Sequence, residues 1–412
     1  MRRSWRASSA RSTTSWAEEF AVNSFRQNLR ALPAPAWILF GGTFINRFGT
    51  FVVPFLVLYL TRIGYSVGQA GAAIGVYGGG LLVASTLGGH LADRIGRRNT
   101  IAVSMFGSAL AMLTLSQARG FPAILIVTFL TGVLAELYRP ASHALLVDLV
   151  APEDRVIAFG MYRFAVNLGF AAGPATAGFV AEHSFLGLFI TDAATSVVYG
   201  LIALAALPHG LRTYTKDERF GEALRVAAKN RVFMLFLFAT LCITVVDFQL
   251  GSTFALHVRS LGFPARDYGL LISLNGILIV LFELLITAVV QRYRPQPVIA
   301  LGYFLSGFGF ALTGIALTLP ALAATVVVWT LGEMIASPMA AAYVARLAPE
   351  KYRGRYMGLL TVSWSLGMLI GPPVGTLIFE RNPMALWISC GVLGTISALV
   401  LLAQSRLHTT TS

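Results

Sequence analysis

Eight ionisable side chains interrupt long apolar stretches of this 412-residue chain: Arg47, Glu136, Arg139, Arg163, Asp192, Asp247, Glu283 and Glu333. Ionisable residues in such surroundings are costly, and they mark ion pathways, substrate sites or proton relays. Glu136 and Arg139 stand three residues apart, on one helix face, with His143 one turn further. Arg47, from another stretch, is a counter-ion for Glu136, and Arg163 is read as structural glue of the same kind. Asp247 has no partner in its own stretch. A carboxylate held in a dry place can load and release a proton, so Asp247, Glu136 and Glu333 rank first as proton or substrate sites. Glu283, two turns after Asn275, joins them as a further candidate. This is chemistry of moving charge. The chain has no G-x-x-x-x-G-K-[ST] phosphate loop, no H-E-x-x-H and no clustered Cys/His set, so neither a metal nor a cofactor is expected, and an enzyme is disfavoured. A channel would need a ring of repeated polar residues, which is missing.

The elements that carry these residues follow from composition. The chain is 56% hydrophobic and 12% charged, against about 25% charged in soluble domains. Apolar runs of about 20 residues recur, as transmembrane helices require. The expected spans are 36–60, 69–90, 98–117, 122–148, 156–180, 185–207, 232–259, 267–290, 297–318, 321–345, 355–379 and 383–404, numbered here 1 to 12. The fold class is therefore an all-α membrane protein. The net charge of +13 is spread over short loops and is no nucleic-acid signal. With a cytoplasmic N-terminus, Arg and Lys divide roughly 23 inside against 5 outside, a clear positive-inside bias. The expected location is the cell (inner) membrane, with both termini cytoplasmic. Cys242 and Cys390 sit in apolar spans, so no disulfide framework is expected. The first residues carry Arg2, Arg3, Arg6, Arg11, Arg26 and Arg30 without an apolar core, so they are read as a basic tail that meets anionic lipid. A transit peptide is the other reading.

The longest charged segment, "PHGLRTYTKDERFGEALRVAAKNR" at 208–231, separates six spans from six. An offset of 198 residues relates the halves: Arg94 to Arg292, Pro140 to Pro338, Arg155 to Arg353 and Gly173-Pro174 to Gly371-Pro372. Parallel six-helix repeats are a transporter plan. The expected organisation is a cytoplasmic tail 1–33, a six-helix bundle 34–208, a cytoplasmic linker 209–231, a second bundle 232–405 and a tail 406–412.

Between spans 2 and 3 lies "GGHLADRIGRR", 88–98. Gly96 suits a tight turn, but Asp93 with Arg94, Arg97 and Arg98 is more than a turn needs. The stretch resembles the signature loop of the major facilitator superfamily, G-x-L-a-D-R-x-G-R-[RK], at Gly89, Leu91, Asp93, Arg94, Gly96, Arg97 and Arg98. Its second copy, "VVQRYRPQP", has Gln291 in place of the acid. The resemblance implies two pseudosymmetric six-helix bundles around a central cavity. It implies that Asp93 faces the start of span 11, near Tyr356, when the cytoplasmic side is closed, and that Arg97 pairs with an acid at the inner end of span 4, where Asp148 stands. It also implies that spans 1, 4, 7 and 10 line the cavity; each carries a charge here, and Asp247 would then face Glu333.

The stretch 160–178 has Gly160, Gly169, Gly173, Pro174 and Gly178, similar to the family's antiporter motif G-x8-G-x3-G-P-x2-G-G, with Ala177 as the departure. Span 11 repeats the set as Gly358, Gly367, Gly371 and Pro372. Small residues let helices approach closely, and proline bends them. The expectation is that spans 5 and 11 meet across the interface between halves and slide there. Antiporters of this family often have a span-1 acid; here "FINRFG" offers Arg47 instead. The resulting reading is a monomeric, proton-coupled exporter of small amphipathic compounds such as drugs or short peptides, working by alternating access. The alternatives are a nutrient symporter or facilitator of the same fold, or a receptor that kept it.

Overall fold

The computed structural model describes residues 29, 32–210 and 220–409, and every element among them is helical. Arg2, Arg3, Arg6, Arg11, Arg26 and Arg30 of the expected tail, and Arg212, Lys216 and Arg219 of the linker, lie outside the described residues. Eleven of the helices are long and apolar enough to cross a membrane. The seventh expected span is split into Arg231–Asp247 and Thr253–Ser260, which leaves neither piece long enough alone.

The 198-residue repeat holds down to helix ends. Span 1 (Ala34–Phe48, then Val52–Arg62) matches span 7, and Arg62 maps onto Ser260. Span 2 (Val67–Ile95) maps onto span 8 (Ala265–Val290), and span 3 (Arg97–Gln117) onto span 9 (Pro295–Thr313). Span 4 (Phe121–Glu136, then Tyr138–Leu149) starts and ends 198 residues before span 10 (Leu319–Leu347). Span 5 (Arg155–His183) maps onto span 11 (Arg353–Arg381), and span 6 (Phe185–Ala206) starts as span 12 (Pro383–Thr409) does. Gly64 and Gly262, at equivalent turns, both have φ near +90° (99° and 87°), where a Cβ would be strained. These turns mark one face of the molecule, the Gly64 face; Gly96 marks the other.

Three spans are interrupted, each with an identifiable cause. Pro140 lacks the N–H that would reach the carbonyl of Glu136, and span 4 breaks at Leu137. In span 1, Asp192 from span 6 accepts hydrogen bonds from the N–H groups of Phe51 (3.1 Å) and Val52 (3.2 Å), so a carboxylate caps the helix that restarts there. Pro54 falls in its first turn, where no N–H is needed. In span 7 the amide of Gln249 takes that place. Its Nε2 donates to the carbonyls of Val245 (2.8 Å) and Gly371 (3.0 Å), and its Oε1 accepts from Thr253 (2.9 Å).

The halves meet along two seams, and these correct the expected interface. Span 5 packs on span 8 and span 11 on span 2, rather than 5 on 11. Gly169 and Gly173 do carry close packing, but within their own half. A Cβ on Gly173 would lie 2.5 Å from the Phe48 carbonyl oxygen, and one on Gly169 would lie 2.7 Å from the Arg47 Cβ. Gly367 and Gly371 press in the same way on Thr244 and Val245 of span 7. Of the first motif's glycines, only Gly178 reaches the other half, at Ala265 and Arg266, while Gly160 and Gly358 face open space. The reason is azimuth: glycines four apart share one helix face, and that face points at span 1 or 7.

The seams themselves use residues not singled out beforehand. Gly71, Gly75 and Gly78 of span 2 lie on Thr376, Pro373 and Met368–Leu369 of span 11. Gly269 and Gly276 of span 8 lie on Pro174 and Ala171 of span 5. The backbone N–H of Ala175, beside Pro174, donates across the seam to Ser273 at 2.9 Å. The same 198 offset relates Gly71 to Gly269 and Gly78 to Gly276. All these contacts lie on the Gly64 side. Toward the other face Gly89, Gly160, Gly354 and Gly358 meet nothing. The halves are thus joined at the Gly64 face.

Candidate functional site

In the N-terminal half, Pro140 puts Glu136 at the end of one helical piece and Arg139 in the first turn of the next. Both arginines reach the carboxylate: Arg47 at 3.0 Å and Arg139 at 3.4 Å. The Arg47 guanidinium also lies 5.6 Å from the centroid of the Tyr138 ring. Arg139 stays half exposed, with 49% of its side chain accessible, although it is ten residues from the end of span 4. It therefore borders open space inside the bundle. His143 packs edge-on against Phe159 and Tyr162. This cluster holds one acid between two cations and carries a net charge of +1.

The C-terminal half is built differently. Asp247 closes the first piece of span 7, and its carboxylate has no hydrogen bond or ion pair among the described residues. It lies within electrostatic reach of Glu333. Glu333, mid-way along span 10, accepts a hydrogen bond from Asn275 Nδ2 at 3.1 Å, and Asn275 also donates to Thr330 at 3.1 Å. Glu283 does not stand free beside them. It forms an ion pair with Arg163 of span 5, and Asn167, one turn beyond Arg163, reaches its other oxygen at 3.4 Å. Arg163, read from the sequence as structural glue, bridges the two halves. Asn167 was not anticipated, although its i+4 spacing from Arg163 places it on the same face. Asp192 proves to be the helix cap described above, outside this group of acids.

At the Gly96 face, Arg97 is buried and lies 3.1 Å from Asp148 and 3.6 Å from Asp93. Asp93 thus turns to its own helix's neighbour. Tyr356, at the start of span 11, is fully buried and stacks on Phe233, with ring centroids 4.2 Å apart, while the ion pair of Asp93 is with Arg97. Arg98 pairs with His209, and Gly210 lies against Arg97, so the start of the linker rests on this loop. Arg94 and Gly89 make no such contacts among the described residues. At the opposite face a cavity of about 210 Å³ opens between the halves, lined by Leu58, Arg62, Glu182, Arg259, Pro264 and Tyr268. The Tyr268 hydroxyl lies 3.0 Å from the Pro54 carbonyl and 2.9 Å from that of Leu250, so it ties the interrupted regions of spans 1 and 7 together. No group of three or more metal-ligating side chains occurs among the described residues.

Comparison with known proteins agrees with this architecture. The family model of the Major Facilitator Superfamily matches residues 39–279 and 236–410. The uncharacterized MFS-type transporter YttB of Bacillus subtilis is 30% identical over 393 residues, covering 91% of this chain and 96% of its own. A Na(+), Li(+), K(+)/H(+) antiporter of Planococcus maritimus is 24% identical, with 88% and 92% covered. Multidrug resistance protein 2 of Bacillus subtilis is 22% identical, with 84% and 88% covered. Among solved structures, the nucleoside transporter NupG (D323A mutant) superposes with a TM-score of 0.79 at 16% identity, covering 90% of this chain and 99% of that one. Two six-span halves in a 198-residue repeat, the loop at Gly89–Arg98 and this match over nearly the whole chain lead to one conclusion: the chain belongs to the Major Facilitator Superfamily and is a multi-pass membrane transporter, not an enzyme.

Proposed function

We propose that the protein exports small amphipathic compounds, such as drugs or short peptides, in exchange for protons. Its Gly96 face and both termini point to the cytoplasm across an inner membrane. The observation that carries this reading is Asp247, an acid deep in the bundle whose carboxylate has neither counter-ion nor hydrogen bond among the described residues, within reach of a second acid, Glu333. Glu136, by contrast, is held by Arg47 and Arg139 and serves to fix the N-terminal half. Arg139, exposed to the interior, and the acids opposite give the substrate space both signs of charge. Proton entry down a membrane potential supplies about 2.3 kcal/mol per 100 mV. Distant relatives named as a cation/proton antiporter and a multidrug resistance protein support exchange and export. In the same reading, the anchored Arg97–Asp148 pair holds the loop so that Asp93 meets the start of span 11 when the Gly96 face closes.

The test uses purified protein in vesicles with an imposed pH gradient and a compound chosen by resistance profiling of an overexpressing strain. Asp247→Asn should lose uphill, gradient-driven transport and keep counterflow. Wild-type uphill transport in that variant would remove the proposal. A second reading, exchange of alkali cations for protons, is favoured by the surplus of carboxylates in the C-terminal half, since oxygen donors suit such ions. Sodium-driven proton movement without any organic compound would select it.

A further inference from the structure

The cavity of about 210 Å³ at the Gly64 face takes an arginine from each half. Arg62 ends the second piece of span 1, and Arg259 stands next to last in the second piece of span 7. In the 198-residue repeat they are one position apart, since Arg62 maps onto Ser260. Span 5 adds Glu182, next to last in its helix. Leu58, Phe185 and Val258 give the cavity an apolar wall. Tyr268 is fully buried behind it, and its hydroxyl is fixed by the carbonyls of Pro54 and Leu250.

The charges at this face differ in what they already hold. Arg266 is engaged, 3.4 Å from Asp267 and 5.8 Å from the centroid of the Phe179 ring. Arg62 has the face of the Phe185 ring, 5.3 Å from its centroid. The side chains of Arg259 and Glu182 have no hydrogen bond or ion pair among the described residues. Two cations against one acid leave a surplus of one positive charge, which suits an anion. The apolar wall suits a ligand with an apolar body. At about 30 Å³ of liquid per water, the space equals about seven waters. That is room for a single ring and not for a lipid chain.

We propose that this cavity binds a small aromatic anion, a carboxylate or a sulfonate, between Arg62 and Arg259, with its ring against Leu58, Phe185 and Val258. The occupant touches both halves at the face where they meet. A ligand that fits one arrangement of the halves and not the other shifts the population toward the first. Occupancy therefore keeps the Gly64 face shut and slows transport without taking the substrate's place in the bundle. The effect on transport rests on the alternating-access reading above; the binding itself does not.

The test uses the full chain in lipid nanodiscs, with benzenesulfonate as the probe because it keeps its charge and carries no protons. Calorimetry should show saturable binding that ethidium does not compete away. Arg62→Gln and Arg259→Gln should each weaken it by about tenfold or more, as loss of a charge-assisted hydrogen bond does. Both arginines are exposed and outside any ion pair, so these variants should fold normally. Arg119→Gln removes an exposed cation of the same face that does not line the cavity, and it should leave the affinity unchanged. No saturable binding, unchanged affinity in either cavity variant, or an equal loss in Arg119→Gln overturns the site. In the second arm, spin labels on Ile63→Cys and Ser260→Cys report the distance across the Gly64 face. Cys242 and Cys390 are buried and stay unlabelled. With the probe at ten times its Kd, the ratio of short to long distances should rise about tenfold. A long-distance population that bound probe leaves unmoved overturns the proposed closure alone. If no long distance appears at any pH or with ethidium, the alternating-access reading fails and the closure fails with it.

Discussion

The two halves share one backbone plan and handle charge in opposite ways. Both have a first span broken at equivalent positions, a proline in the fourth span of the repeat and glycines in the fifth that press on the first. Yet the N-terminal half surrounds Glu136 with Arg47 and Arg139 and uses its other membrane acid, Asp192, as a helix cap, whereas the C-terminal half sets Asp247, Glu283 and Glu333 against a single arginine borrowed from its neighbour. Charges placed away from water must be paired or be able to become neutral. Arginine cannot lose its proton in practice, so the N-terminal cluster is permanent. A carboxyl group can, so an acid without a counter-ion, such as Asp247, is not bound to one state in this way. The two halves keep one backbone plan, and they differ in which charged side chains stand on it.

The strongest way to break this comparison is to unpair the N-terminal cluster. Glu136→Gln leaves Arg47 buried without a counter-charge, and removing one partner of such a pair costs about 3–5 kcal/mol. Thermal unfolding in detergent should show a large loss, while Asp247→Asn, which removes an unpaired charge, should leave the protein at least as stable. Equal losses in both variants would erase the distinction between halves. Next in size is a test of the shared scaffold. Gly173→Leu and Gly371→Leu each force a side chain into a helix contact at Phe48 or Val245, and overpacking typically costs about 1–3 kcal/mol. The two should fall together in melting temperature, because the contacts are equivalent. A loss of turnover per folded molecule with unchanged stability would return these glycines to the interface between halves.

A smaller effect separates the two span breaks. Asp192→Asn should weaken the carboxylate cap on Phe51 and Val52 by about 1 kcal/mol, the usual size of a cap. Loss of stability with retained uphill transport in vesicles would keep Asp192 a structural acid; loss of coupling alone would add it to the proton path. The smallest stability change belongs to Asp93→Asn. Its pairing with Arg97 is partly exposed, and such pairs contribute about 0–1 kcal/mol. Folding should be unchanged and turnover should drop. Wild-type transport in this variant would leave the loop as an anchor only.

Features that depend on the chain's own neighbours were readable in advance. Span length, the repeat offset and the i,i+3 contact of Glu136 with Arg139 all follow from local geometry, and the structure has them. The split of span 7 was not readable, because nothing in "VVDFQLGST" excludes helix. Its cause is the Gln249 amide bonding to Gly371 of another span.

By itself, then, the sequence determined the number of spans, the two halves and the identity of the membrane acids, since hydrophobic length and side-chain type are properties of the chain. Only the tertiary structure decided which acid stays unpaired, that Arg163 reaches Glu283 across the seam, and that the glycine face of span 5 meets span 1 rather than span 11. Helical spacing tells which residues share a face. The direction that face points is set by how the helices cross, and that depends on packing among all twelve spans at once.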